Sequence, residues 1–206
     1  MSKFLLDKEP FFWYLIIFIA IGDLVVPYLL APFYKGYSHK TMVMSSLGNP
    51  QSPVSLYYNS WLVLAGILLI AFSAFFYAKF NHIAITIMLL LFSFGAMILA
   101  GLFSVNESKE IVNLSSQIHG YGSVIGFMTL LFVPLVLAFQ RYEIKYLSVI
   151  SSICFILALV SFTLFIMSDK PQFHNTIISY EGVWQRVSLA FMYLPWIYMA
   201  VNQLCR

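Results

Sequence analysis

Six apolar stretches, each about twenty residues long and so able to cross a bilayer as a helix, constrain this chain more than anything else in it. They run Phe11–Phe33, Trp61–Phe80, Ile83–Phe103, Gly120–Phe139, Leu147–Met167 and Trp184–Val201. The expected fold is all-α: a polytopic bundle of six transmembrane helices that fills the 206 residues as a single integral membrane domain. Composition agrees, because 9% of the residues are charged against about 25% in a soluble domain. Phe11, Phe12, Trp13 and Tyr14 open the first stretch as an interfacial aromatic belt does. That stretch is too long for a cleavable leader, and Pro27 and Pro32 precede a Phe-Tyr-Lys end, not a small-residue cleavage site. The sixth stretch is the least apolar, with Gln185 and Arg186 at its mouth.

The connections differ in kind. Asn81-His82 and Gln140–Tyr146 are short hairpin turns, whereas Tyr34–Ser60, Ser104–His119 and Ser168–Val183 are long. Six crossings put the three long connections on one face and both termini on the other. The terminal face carries Lys3, Lys8, Lys79, Arg141, Lys145 and Arg206, and the loop face Lys35, Lys40, Lys109, Lys170 and Arg186, six against five. The charges of the short turns sit close to the spans, where the positive-inside rule counts them most. Both termini are therefore expected in the cytoplasm, with the long loops outside, in a cell or plasma membrane. Cys154 and Cys205 lie in or just past apolar runs, so no disulfide framework is expected.

A few polar residues stand where hydrocarbon should be. Asp23 lies well inside the first stretch, where insertion costs about 2.5–3.5 kcal/mol, so it should face the bundle and not lipid. Pro27, four residues on, cannot donate to the carbonyl of Asp23. His119 opens the fourth stretch, followed by Gly122, Ser123 and Gly126; Gly122-x-x-x-Gly126 permits close helix approach. Arg186 is near enough to the mouth of the sixth helix to snorkel, or it turns inward to neutralise Asp23. These four, Asp23, His119, Ser123 and Arg186, are the candidate ligand-binding residues. His39, Ser46, Asn49, Asn59, Glu107, Glu181 and Gln185 add polar groups on the same face. His39, Glu107 and His119 are the weak candidates for a metal, since zinc accepts imidazole and carboxylate, but their spacing forms no metal motif. No cofactor fingerprint, nucleophile elbow or phosphate loop occurs.

The longest interval unsuited to lipid is Ser45-Ser46-Leu47-Gly48-Asn49-Pro50-Gln51-Ser52-Pro53-Val54-Ser55, read as a compact polar loop turned by Gly and Pro. With Gly22-Asp23, Tyr37-Ser38-His39, Asn59 through Gly66, Gly101-Leu-Phe103, His119-Gly120 and Trp184-Gln185-Arg186, this interval resembles domain of unknown function 998 (DUF998). That is a family of small multi-pass membrane proteins. Ser46, Leu47, Gly48, Pro50, Ser52 and Pro53 match its signature positions. Members commonly carry Glu in the Ser–Leu region; here Ser46 runs directly into Leu47. The resemblance implies a membrane fold and no particular substrate.

Three functions fit. In the first, an outward-facing intramembrane pocket binds a small molecule, ion or lipid headgroup. In the second, an intramembrane hydrolase works near the outer leaflet with His119 as base or ligand, Asp23 or Glu107 as acid and Ser46 or Ser123 as hydroxyl. In the third, the polar residues only specify helix packing in a structural or partner-binding protein. Membrane lipids are the expected surroundings. The scattered basic residues offer no nucleic-acid surface, and the sequence sets no oligomeric state.

Overall fold

The computed structural model describes residues 2–104, 113–140 and 142–206. After a short helix α1 (Ser2–Asp7), six long apolar helical segments follow, each long enough to cross a membrane. They are α2 (Glu9–Leu30), α3 (Ser55–Phe80), the run Ile83–Leu102, α6 (Leu114–Phe139), α7 (Leu147–Met167) and α8 (Glu181–Leu204). The third crossing is built from α4 (Ile83–Phe92), a π-helical stretch (Ser93–Leu99) and a last turn α5 (Ala100–Leu102). No strand occurs among the described residues. The protein is a six-helix polytopic bundle, as expected. Helices are what hydrocarbon demands, since a spanning backbone must satisfy its own hydrogen bonds.

Local chemistry sets the ends. Asn113 and Ser116 form a reciprocal capping box at the start of α6, with Ser116 N donating to Asn113 Oδ1 at 2.8 Å. This cap starts α6 six residues before the apolar run. His119 therefore sits more than a turn inside the helix and does not open it. Likewise α3 begins at Ser55 and takes Asn59 into its first turns. Both helices start before their apolar runs, and their first turns carry polar side chains. Between α3 and α4 the chain reverses through Asn81 in the left-handed conformation, φ 51°, and His82 Nδ1 caps α4 by accepting from Ile85 N at 3.2 Å.

The six crossings form a ring in chain order: each packs on its neighbours in sequence, and α8 closes the ring against α2. The third and fourth crossings approach closely. A Cβ placed on Gly95 would strike the carbonyl of Gly122, and one on Gly126 would strike Ala96. Gly122 and Gly126 thus do what their spacing implied, against a π-helical turn whose Gly95 lets the two backbones touch.

The two halves of the ring differ. Near the termini the centre is filled by aromatic rings. Phe12 stacks on Phe75 at 4.7 Å, Trp13 meets Phe75 edge-on at 5.3 Å, and Trp196 meets Phe76 at 5.3 Å and Phe72 at 5.7 Å. At that face Lys79 pairs with Glu9, whose Oε1 also accepts from Trp13 Nε1 at 2.9 Å. Toward the long loops the centre is not filled.

The interval read as a polar loop is mostly buried. It enters as a 3-10 turn, Met44–Gly48, and Met44, Leu47 and Val54 join the core while Asn49 and Ser52 are buried with them. Met44, just before the interval, and Leu47 and Val54 within it are the reason: they turn inward once the backbone is folded back over the helix ends.

Candidate functional site

In the loop-side half of the ring lies a cavity of about 350 Å³, within the range of about 300–1,000 Å³ common for ligand sites. Leu62, Phe92, Met97, Phe127 and Phe162 supply apolar wall. Its polar groups come from four directions: Asp23 on α2, Ser116, His119 and Ser123 on α6, and Glu181 and Gln185 on α8, with Ser45 from the loop above. Val124, Met128 and Ile166 line it and are also exposed on the outer surface of α6 and α7. The cavity thus opens sideways between those two helices.

Asp23 is 5% exposed. Tyr193 Oη donates to its Oδ2 at 2.9 Å, and Trp61 Nε1 approaches its Oδ1 at 3.4 Å. Trp61 reaches it by lying across Gly22, where a Cβ would meet the indole ring. The pair Gly22-Asp23 therefore works as a unit, with the glycine making room for a donor to the carboxylate. Tyr58, buried on α3, lines the same space.

His119 is 7% exposed. Its Nδ1 lies 2.8 Å from the carbonyl of Phe103 and 3.2 Å from that of Ala100. Carbonyls only accept, so Nδ1 carries the proton. In the neutral ring Nε2 is then a lone-pair acceptor on the cavity wall. Ser123 stands one turn further along α6. Among the described residues no hydrogen bond joins a serine hydroxyl to the His119 ring, so the nucleophile–base pair that hydrolysis would use is not assembled.

The loop over the cavity is tied to two helices, α8 and α3. Gln185 Oε1 accepts from Met44 N at 2.7 Å. Asn59 Nδ2 donates to Gly48 O at 2.9 Å and to Ser104 Oγ at 3.3 Å. Asn49 turns the loop by accepting from Gln51 N at 2.6 Å.

Arg186 is 7% exposed and does not join the cavity. Its Nη1 donates to the carbonyls of Gly182 (2.7 Å), His39 (3.1 Å) and Met42 (3.3 Å). Its Nη2 donates to Tyr37 Oη at 2.6 Å and lies 3.1 Å from His39 Nδ1. The expected Arg186–Asp23 pair is not made: the two terminal nitrogens of the guanidinium are engaged by the 37–42 segment, which sits within reach because Gly182 has no Cβ, and Nε is buried without a hydrogen-bond partner. Tyr28 stacks on the His39 ring at 4.2 Å and forms an open groove with Lys40 and Arg186. Burial, with the positive Arg186 adding to it, holds the His39 pKa below its ordinary value, while burial pushes the Tyr37 phenol up.

Of the candidate residues, the cavity gathers Asp23, His119, Ser123, Glu181 and Gln185. Arg186 and His39 form a separate clamp on the loop. Asn49 and Asn59 shape and anchor the loop, and Ser46 is buried in its 3-10 turn. Glu107 lies outside the described residues. His39 and His119 belong to different places, and among the described residues no three His, Cys, Asp or Glu side chains converge on a metal position. Sequence reasoning missed Tyr58, Trp61 and Tyr193. Tyr193 had a signal: it lies seven residues after Arg186, on the same face of α8, and mid-span, where a phenol needs a partner. Trp61 was indistinguishable from an interfacial aromatic.

Comparison with curated proteins and with solved structures returns no match. The family model described as protein of unknown function (DUF998) matches residues 17–202, nearly the whole helical bundle, and the chain belongs to that family.

Proposed function

We propose that the protein binds an amphipathic molecule in the loop-side cavity, with the apolar part against the helix walls and the polar part at Asp23, His119, Ser123 and Gln185. The observation that carries this reading is the shape of the site: an apolar space of about 350 Å³ that ends on a buried carboxylate and an imidazole acceptor. A packing-only role for the polar residues would leave no such space, since interiors are close-packed. The lateral opening between α6 and α7 supports entry from the membrane. In this reading the termini are cytoplasmic, following the Lys/Arg bias, and the cavity faces the outer leaflet of the cell membrane.

The test is extraction of the protein from membranes in mild detergent, followed by native mass spectrometry and by thermal unfolding with dodecanol as probe. The expected result is a raised unfolding midpoint with dodecanol, as binding to the folded state requires. Ser123→Leu, which fills the cavity, should abolish the shift, and Ser123→Ala should keep it. A protein that extracts with no bound small molecule and unfolds at the same temperature with and without dodecanol refutes the reading.

A further inference from the structure

Two side chains of the cavity are held at one end and open at the other. The His119 ring is fixed by Nδ1, whose proton is shared between the carbonyls of Phe103 and Ala100. Gln185 is fixed by Oε1, which accepts from Met44 N at 2.7 Å. A backbone N–H needs an acceptor, so this bond also settles which end of the amide is oxygen. What remains is Nε2 of His119, a lone-pair acceptor in the neutral ring, and Nε2 of Gln185, a donor with two protons. Among the described residues neither nitrogen has a hydrogen-bond partner. Both side chains line the cavity and are more than nine-tenths buried. Neither nitrogen is shut off within the packed interior, as Arg186 Nε and Trp196 Nε1 are. Ser123, one turn from His119 on the same face of α6, adds a hydroxyl that can turn to donate or to accept. The backbone thus holds one acceptor and one donor toward the cavity, each in a set orientation.

We infer that the head group recognised here is uncharged and bears hydroxyl: the ligand is an amphiphile whose head donates from O–H to His119 Nε2 and accepts at oxygen from Gln185 Nε2. This deepens the function proposed above and rests on it. A hydroxyl has one proton to give and two lone pairs to receive with, so a head of this kind satisfies both nitrogens. An ammonium only donates, and would face the N–H groups of Gln185 with its own. A carboxylate only accepts, and would set its oxygens against the His119 lone pair. An ether accepts from Gln185 but leaves His119 unmatched, and a buried polar group without a partner is costly. The selection rests on the direction of hydrogen bonds and not on the net charge of the site. Leu62, Phe92, Phe127 and Phe162 receive the apolar part.

The experiment uses the full-length protein in nanodiscs of phosphatidylcholine, with binding read by titration and by the unfolding midpoint. Each affinity is taken against the mole fraction of probe in the bilayer. Four probes share a twelve-carbon chain: dodecanol, dodecyl methyl ether, dodecylammonium and dodecanoate. Dodecanol should bind about three- to tenfold tighter than the ether, the effect of one hydrogen bond, and tighter than either charged probe. Two variants should move that ratio in opposite directions. His119→Asn keeps a donor near the Nδ1 position and removes the cavity acceptor, so the alcohol should lose its advantage while the ether binds as before. Gln185→Glu keeps an oxygen for Met44 N and removes the donor, so the ether should weaken more than the alcohol. A purely structural loss would shift both probes alike. Should one variant not fold, the other variant and the wild-type ratio still decide. An ether equal to the alcohol, or a charged probe tighter than it, overturns the hydroxyl assignment and leaves the amphiphile site standing. A ratio unmoved in every variant that folds overturns the assigned residues and with them the proposal. Failure of all four probes removes the amphiphile site itself.

Discussion

Replacing Tyr193 with Phe removes one hydroxyl from the centre of the bundle and little else. The ring stays, edge-on to Phe92 at 6.2 Å, and the lost atom is the donor 2.9 Å from Asp23 Oδ2. Hydrogen bonds between membrane helices average about 0.6 kcal/mol and reach about 1.7, because the unfolded chain in lipid also finds partners. Bonds to charged groups run about 1.5–3 kcal/mol. Asp23 is 5% exposed and Tyr193 1%, and Asp23 keeps only the long contact to Trp61, so a cost of about 1–2 kcal/mol is expected. The contribution of the Trp61 contact should be smaller, about 0.5 kcal/mol or less, because 3.4 Å lies beyond the usual N–H···O range of about 2.7–3.2 Å. Raw costs would mix in lost packing, above all for the indole. The assay is therefore a pair of double-mutant cycles, Tyr193→Phe with Asp23→Asn and Trp61→Phe with Asp23→Asn, each measured by denaturing detergent titration followed by circular dichroism. The Tyr193 coupling should exceed the Trp61 coupling. A Tyr193 coupling within about 0.3 kcal/mol of zero, the scatter of independent sites, or one smaller than that of Trp61, refutes the account of how Asp23 is held.

Gly95→Ala should destabilise the bundle by about 1–3 kcal/mol, as overpacking does, because its new Cβ meets the backbone of Gly122, which cannot rotate away; the measurement is the same detergent titration. Thermal stability should fall as the pH drops. His39 is held below the ordinary histidine value, so between the two values the unfolded chain takes up the proton that the folded one refuses. Stability is therefore full above about pH 6.5, the ordinary imidazole value, declines below it, and levels off once the folded protein also protonates; His39→Gln should flatten this part of the curve. A membrane-impermeant maleimide should label Cys205, which is exposed beside the C-terminus, only after the membrane is opened, while buried Cys154 stays unlabelled; labelling of Cys205 in intact cells refutes cytoplasmic termini.

The number and type of helices were legible because twenty-residue apolar runs have one physical solution in lipid. Asp23 was legible as inward-facing for the same reason, and Gly122 with Gly126 as a close approach. The helix starts were hidden because Ser55 to Ser60 and Leu114 to His119 mix polar with apolar residues, and a hydropathy run does not register them. The pairing of Arg186 was hidden for a different reason. Charge complementarity pointed to Asp23, but a guanidinium is equally satisfied by carbonyls, and no pattern in a single sequence announces which backbone will arrive. His39 and Met42 arrive because Gly182 leaves room for them, a three-way coincidence across about 140 residues that only the fold discloses. The loop misled by composition: its Ser, Asn and Pro are plain, while the inward turn of Met44, Leu47 and Val54 depends on helix ends elsewhere.

The position of Arg186 decides what the cavity can be. Had the guanidinium met Asp23, the two charges would have cancelled and the polar residues would have been packing alone. Engaged with the loop instead, it lies outside the cavity and leaves Asp23 with Tyr193 and Trp61 as its partners. The opposite end settles the direction of entry in the proposed reading. Reaching the terminal face would mean parting Trp13 from Phe72 and Phe75 and Trp196 from Phe72 and Phe76. At about 0.5–1.5 kcal/mol for each such aromatic pair, the four contacts together oppose that opening by about 2–6 kcal/mol before any loss of packing is counted. The side between α6 and α7 is already open. In the proposed reading, a molecule bound at Asp23 therefore leaves by the route it came, beside Val124 and Ile166.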